Sequence, residues 1–305
     1  MLHLLAAIAC STAIALILKH GEERNHQRFV ILSANYLTAT VVSLFLVLRK
    51  GLFRYIPMGS FQELFAQLQE GHTTDGFLGH GSTALWALVI GVPTGVLYFL
   101  GFYYYQRSVK ESGVGMAGSY AKMGILVPMI LSVLFWREYP TGIQWAGMAL
   151  ALAAIATSNL RFSGGLNPFR EARPVLLLLF LSCGISEFTN KLYQRYGMIQ
   201  MKDLFLFCLF FTALLVSLFK VHGRPKASEV ITGLAVGVPN FFASFFLINA
   251  LSQLPAAVVF PAYSSGSIAL ICLGGRFIYG ERLSRREMVA VALTMTALLL
   301  INLRA

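Results

Sequence analysis

The sequence predicts an all-α polytopic membrane protein of ten transmembrane helices, arranged as two inverted five-helix repeats. Three observations lead there. Of 305 residues, 57% are hydrophobic and 12% charged, with mean hydropathy +0.69, whereas a soluble domain carries about 25% charged residues. The apolar residues fall into ten runs of membrane-spanning length, judged against a hydrocarbon core roughly 30 Å thick. The second half of the chain also repeats the pattern of the first.

Segment 1 spans 2–19. No Lys or Arg precedes it, and the apolar part before Cys10 is short, so it reads as a transmembrane helix rather than a cleaved leader. Segment 2 spans 29–48 and ends at Arg49-Lys50. The long connection 51–82 holds Phe61, Leu64, Phe65 and Leu68 at helical spacing, which suits either an amphipathic helix on the membrane surface or a loop. Segment 3 spans 84–106 and is interrupted at Gly91-Val92-Pro93. Segment 4, 113–136, carries a single charge, Lys122. Segment 5 spans 141–160, and the loop-like linker 161–173 divides the chain near its middle. Segments 6 (174–193), 7 (203–220) and 8 (228–252) follow, the last interrupted at Gly237-Val238-Pro239. Segment 9 (255–279) contains Pro261 and the run Tyr263 to Ser267, and segment 10 spans 284–303.

The halves 1–160 and 174–305 are read as the two repeats. Residues 137–161 laid on 280–304 match at Glu138/Glu281 and at the endings Asn159-Leu160-Arg161 and Asn302-Leu303-Arg304. The same offset sets Tyr120 on Tyr263 and Lys122 on Ser265, and Gly91-Val92-Pro93 falls on Gly237-Val238-Pro239 at an offset of 146. Five helices per copy is an odd number, so consecutive copies cross the membrane in opposite directions. That is the inverted-repeat plan of secondary transporters.

With these features the chain resembles the drug/metabolite transporter superfamily in its ten-helix EamA-like form. The likeness rests on the five-plus-five plan and on Arg137-Glu138-Tyr139-Pro140 after segment 4. It rests also on Gly280-Glu281-Arg282-Leu283 after segment 9, where the family has a Gly-Glu pair. The first copy departs from it with Arg137 in place of the glycine. The resemblance implies a secondary transporter whose central cavity is lined by segments 3, 4, 8 and 9, joined by 1, 2, 6 and 7. It names no substrate, because the family carries amino acids, nucleotide sugars, sugar phosphates, choline and drugs.

An ammonium in mid-membrane costs roughly 2.5–3.5 kcal/mol on an insertion scale, so a chain keeps one only with a partner, a wet cavity or a ligand. Lys122 is therefore the leading candidate for binding substrate, and a packing pair with Glu187 is its bland alternative. Glu187 and Lys191 share a helix face at i, i+4 and form either a coupling pair or a self-neutralised one. Tyr120, Asn240, Tyr263, Ser264 and Ser265 are the uncharged substrate-binding candidates. Asn35 lines the cavity or bonds another helix, and Tyr103 to Tyr105 suit an interfacial belt. Gly91, Pro93, Gly237 and Pro239 are read as hinges facing the cavity. Glu138 and Glu281 suit helix capping. No catalytic constellation, metal-ligand cluster or cofactor motif is present in the sequence, so the chain reads as a non-enzyme without cofactor.

The expected function is secondary transport of a small polar, carboxylate- or phosphate-bearing metabolite, by alternating access through a central cavity. The rivals are an exporter of amphiphilic amino acids or drugs, a flippase or subunit acting on a lipid-linked headgroup, and a non-transporting scaffold. Expected partners are the small-molecule substrate, membrane lipid and a coupled proton or counter-substrate. Nucleic acid is excluded, because the net charge of +11 lies in short loops between apolar runs. The chain is expected as a monomer or homodimer in the bacterial cytoplasmic (inner) membrane.

Overall fold

The computed structural model describes residues 1–24, 26–71, 78–112, 121, 124–137, 139, 141–159, 174–221 and 224–279, with isolated positions between 285 and 300. The described residues are helical, with no strand among them. The α-helices are α1 (Leu2–Glu23), α2 (Arg28–Arg49), α3 (Phe61–Gly71), α4 (His80–Ser112) and α5 (Leu126–Trp136). They continue with α6 (Gly142–Asn159), α7 (Pro174–Tyr196), α8 (Lys202–Leu218), α9 (Ala227–Leu251) and α10 (Ala256–Tyr279). Six helices among the described residues are long and apolar enough to cross a membrane, and Leu2–Leu18 and Leu126–Trp136 are shorter apolar helices. The chain is an integral membrane protein: helices of this length and apolarity span lipid with their backbone N–H and C=O groups satisfied internally. Segments 4 and 10, as expected from the sequence, fall partly outside the described residues.

The described part of the connection after α2, 51–71, is largely helical rather than a plain loop. Gly51 turns the chain with φ +62°, a left-handed conformation that costs glycine nothing, and a short 3₁₀ helix, Leu52–Met58, follows. Helix α3 then buries Leu64 while Phe61 and Phe65 stay 58% and 64% exposed. The Gly79 N–H donates to Gln67 Oε1 at 2.9 Å, which ties α3 to the start of α4. An amphipathic helix with its aromatic side unpartnered by protein suits the membrane interface.

The chain divides into two compact units, each drawing on both sequence halves. Unit 1 comprises 1–99 and 189–253, and unit 2 comprises 100–188 and 254–305. In unit 1, α1 packs on α9, α9 on α2 and α2 on α8. Lipid tails are as apolar as leucine, so such helices associate through close packing and hydrogen bonds, and small residues permit the approach. Gly233 and Gly237 of α9 provide it against α2: a Cβ on Gly237 would lie 2.5 Å from the Asn35 carbonyl oxygen, and one on Gly233 2.6 Å from Ala34 Cβ. Gly91 and Gly95 of α4 do the same against α8, where added Cβ atoms would lie 2.7 Å from Cys208 Cβ and Thr212 Cβ.

In unit 2, α10 packs on α5 and α6. Met129 and Met148 are buried together with Leu126 and Val133 against them. Gly184 of α7 meets the turn before α5, since a Cβ there would lie 2.6 Å from the Gly124 carbonyl oxygen.

The interruption expected at each Gly-Val-Pro is absent. Helix α4 runs through Pro93 and α9 through Pro239. Gly91 and Gly237 are buried in the helix contacts while Pro93 is exposed. The glycine serves close packing, and each helix continues through its proline despite the hydrogen bond that the missing N–H removes.

Two predictions follow from this geometry. Gly237→Ile should lower stability by about 1–3 kcal/mol or more, because the added atoms meet backbone rather than a movable side chain. Val238→Ala, at a position 44% exposed, should be nearly neutral in the same detergent melts. Arg137 closes α5 with φ 51°, a conformation that disfavours any side chain. Arg137→Gly should therefore raise stability by about 0.5–1 kcal/mol in those melts.

Candidate functional site

Asn35 sits inside the apolar run of α2 at 5% exposure, so its amide needs a partner from another helix. Asn240 of α9 donates Nδ2–H to Asn35 Oδ1 at 3.0 Å. The contact exists because Gly237, one turn before Asn240, brings the two backbones together. Further along α9, Ser244 Oγ lies 3.3 Å from the Tyr98 hydroxyl of α4. Phe210 of α8 is ringed by aromatics, with centroids of Tyr36, Tyr98 and Phe241 at 6.4, 6.1 and 6.2 Å. The result is a seam through unit 1 with amide and hydroxyl groups set in an aromatic wall. Such a lining can hydrogen-bond a polar group and pack against an apolar one.

A second polar surface lies on α10 in unit 2. Ser264, Ser265 and Ser267 are buried at 4%, 0% and 0% exposure. Ser265 Oγ–H donates to the Pro261 carbonyl and Ser267 Oγ–H to the Tyr263 carbonyl, each at 2.7 Å. Both protons are thus spent on the helix itself, and these hydroxyls offer only lone pairs outward. They suit a donor such as an ammonium or hydroxyl better than an oxyanion. Tyr263 is half-buried and engaged in a polar or ring interaction.

The expected substrate-binding residues are therefore distributed. Asn240 belongs to unit 1, and Tyr263, Ser264 and Ser265 to unit 2. Lys122 and Tyr120 lie outside the described residues, as do Glu138 and Glu281. Glu187 and Lys191 stand one turn apart on α7, Glu187 half-buried and Lys191 3% exposed, each with interactions of its own. Asn35 proves to bond another helix. Tyr98 and Ser244 were not singled out from the sequence. Yet they are 146 residues apart, the offset that aligns Gly91 with Gly237, and that offset is the signal by which they were findable.

Apolar helices of spanning length with paired polar side chains buried among them define a polytopic integral membrane protein. Residues 1–160 match the model of the EamA-like transporter family, which is just over half of the chain. The chain belongs to that family, within the drug/metabolite transporter superfamily. It is similar to an uncharacterised protein of Haemophilus influenzae strain Rd, 23% identical over 310 residues that cover 98% of this chain and 96% of that one. It also shares its fold with a crystal structure of a protein at 16% identity, with TM-score 0.68, over 99% of this chain and 95% of the other.

The amide pair makes a specific prediction. Asn240→Leu alone leaves the buried Asn35 carbonyl without its donor and should cost about 1–3 kcal/mol. The double variant Asn35→Leu/Asn240→Leu should cost less than the sum of the two singles, a coupling read by melts of all four proteins. Strict additivity would mean that the two amides do not depend on each other.

Proposed function

We propose that the chain is a secondary active transporter of a small polar metabolite bearing a carboxylate or phosphate, working by alternating access between inverted five-helix repeats. The observation that carries the mechanism is the meeting of Tyr98 with Ser244. A two-fold axis brings a residue against its own symmetry mate, and these two are mates at the offset of 146. The glycine contacts support the same axis. Gly91 approaches the Phe205 carbonyl and Cys208 Cβ, and its mate Gly237 approaches the Asn35 carbonyl and Thr38 Cβ. Both α8 atoms lie 170 residues beyond their α2 counterparts (205 − 35 and 208 − 38). One pattern of contact is thus made twice, as α4 on α8 and as α9 on α2.

Inverted repeats give a transporter two conformations of similar energy, open to opposite sides, with the site near the midplane. On this reading alternating access comes from rocking of the two sequence halves. The anionic substrate class rests on Lys122, a lone ammonium in an otherwise uncharged 24-residue run, 113–136. An ammonium in a wet cavity is a point charge suited to one carboxylate or phosphate oxygen. Glu187 and Lys191 supply a charge pair through which a proton or counter-substrate couples. The bacterial cytoplasmic membrane is the proposed location.

The aromatic wall around Phe210 favours a second reading, an exporter of amphiphilic amino acids or drugs. The two readings separate in proteoliposomes holding the purified chain. Uptake of a labelled pool of carboxylated and phosphorylated metabolites should exceed that of empty vesicles, and Lys122→Gln should reduce it by roughly tenfold or more. Uptake confined to cationic or neutral amphiphiles, and unchanged in Lys122→Gln, would overturn the anionic reading in favour of the exporter.

A further inference from the structure

A cluster of charges stands at the end of unit 1 where α2 stops and α8 begins. Lys50, just past the end of α2, forms an ion pair through Nζ with Asp203 Oδ2. Asp203 is fully buried, and its other oxygen, Oδ1, has no hydrogen-bond partner among the described residues. Lys202, the first residue of α8, is 6% exposed. Its ammonium has one long contact, 3.5 Å to the Ile199 carbonyl oxygen, and lies 4.0 Å from the centroid of the Phe245 ring. The charges of Lys50 and Asp203 both act on it.

An accounting of charges and donors leaves this cluster incomplete. Two ammoniums face one carboxylate, so the cluster carries a net positive charge in a largely desolvated position. One carboxylate oxygen is held by Lys50, and the other hydrogen-bonds neither ammonium. Lys202 has three protons, and its one carbonyl acceptor is at the limit of hydrogen-bond distance. A ring face attracts a cation but does not replace hydrogen bonds to anionic oxygens. A buried ammonium held this loosely is costly unless something else supplies acceptors and countercharge. Lys50, whose side chain is 42% exposed, opens the cluster towards its surroundings.

We propose that Lys202 and Lys50 form a subsite for an oxyanion, a carboxylate or phosphate group, at this end of unit 1. Asp203 is its internal counter-ion. It holds Lys50 in place when the subsite is empty and limits how tightly an anion binds, so that the ligand can leave again. The ring of Phe245 orients the Lys202 stem and keeps its head from turning to solvent. This extends the anionic-substrate reading to a capture site made of residues other than Lys122. The same chemistry also fits the phosphate of an anionic lipid headgroup.

The test uses the full chain in nanodiscs. Melting is followed while sodium phosphate replaces sodium chloride at constant ionic strength, in pure phosphatidylcholine and again with phosphatidylglycerol added. Phosphate should stabilise the wild type saturably in phosphatidylcholine. Lys202→Met should weaken that response by roughly tenfold or more, Asp203→Asn should strengthen it, and whatever phosphate response remains in Lys122→Gln should be lost when Lys202→Met is added. A purely structural Asp203 would lower the melting temperature without moving the phosphate midpoint, which overturns its assigned role. If Lys202→Met does not fold, Lys50→Met carries the same expectation at a more exposed position. Phosphatidylglycerol that stabilises the wild type and removes the phosphate response would assign the subsite to lipid. A response lost in Lys122→Gln but kept in Lys202→Met would overturn the subsite and leave the Lys122 reading standing. A wild type unmoved by both phosphate and phosphatidylglycerol would overturn the subsite, leaving Lys202 hydrated by water alone.

Discussion

Two close approaches of helix backbones carry unit 1: Gly237 and Gly233 of α9 on α2, and Gly91 and Gly95 of α4 on α8. In lipid there is no water to squeeze out between helices, so contact area and hydrogen bonds must hold them together. Each glycine lets a backbone sit where a side chain would otherwise stand. The Asn35–Asn240 bond then becomes possible at 3.0 Å, and the aromatic wall closes around Phe210. Polar groups are admitted to the interior because the same approach that packs the helices also pairs the groups.

The loop ends reinforce this frame. Glu229, in the first turn of α9, accepts the Lys226 N–H at 2.9 Å and the Gln27 N–H at 3.0 Å. It caps its own helix and pins the start of α2 with the same carboxylate. At the other end of α2, Lys50 follows its C-terminus and pairs with Asp203 in the first turn of α8, each sign matching the adjoining helix dipole. The side chains that tie the ends together therefore also suit the backbone charges there, and one extra ammonium, Lys202, remains beyond that balance.

Much of the helical plan was legible because long apolar runs have one solution in a bilayer. The bounds of α2, α8, α9 and α10 fall within about two residues of the expected segments, within the usual uncertainty of helix ends. The expected interruption at Gly-Val-Pro is absent because a helix can continue through a proline, and the packing role of the glycine beside it shows only against the helix it touches. For Ser265 and Ser267 of α10 the sequence gives a hydroxyl both its roles, whereas the structure shows each proton donated to the helix backbone. The seam of Tyr98 and Ser244 lay beyond composition and periodicity because each residue alone is ordinary. What links them is the separation of 146 residues that also aligns Gly91 with Gly237. Lys202 was hidden for another reason, since a lysine at a helix end reads as a topology signal until its burial is known.

The account stands on one contact pattern made twice, and cysteine cross-linking measures that pattern directly. In a chain with Cys10, Cys183 and Cys272 replaced by Ala, Gly91→Cys faces the native Cys208. A second chain, with Cys208 also replaced, carries Thr38→Cys with Gly237→Cys. The Cβ positions at Gly91 and Cys208 lie 2.7 Å apart, so a slight opening reaches disulfide range, about 3.5–4.5 Å. Each pair joins the first sequence half to the second, so after cleavage at a protease site placed within 161–173 the halves should stay together on non-reducing gels. The account predicts that both pairs cross-link in membranes, to similar extents. Cross-linking of one pair without the other would contradict the two-fold relation between the halves.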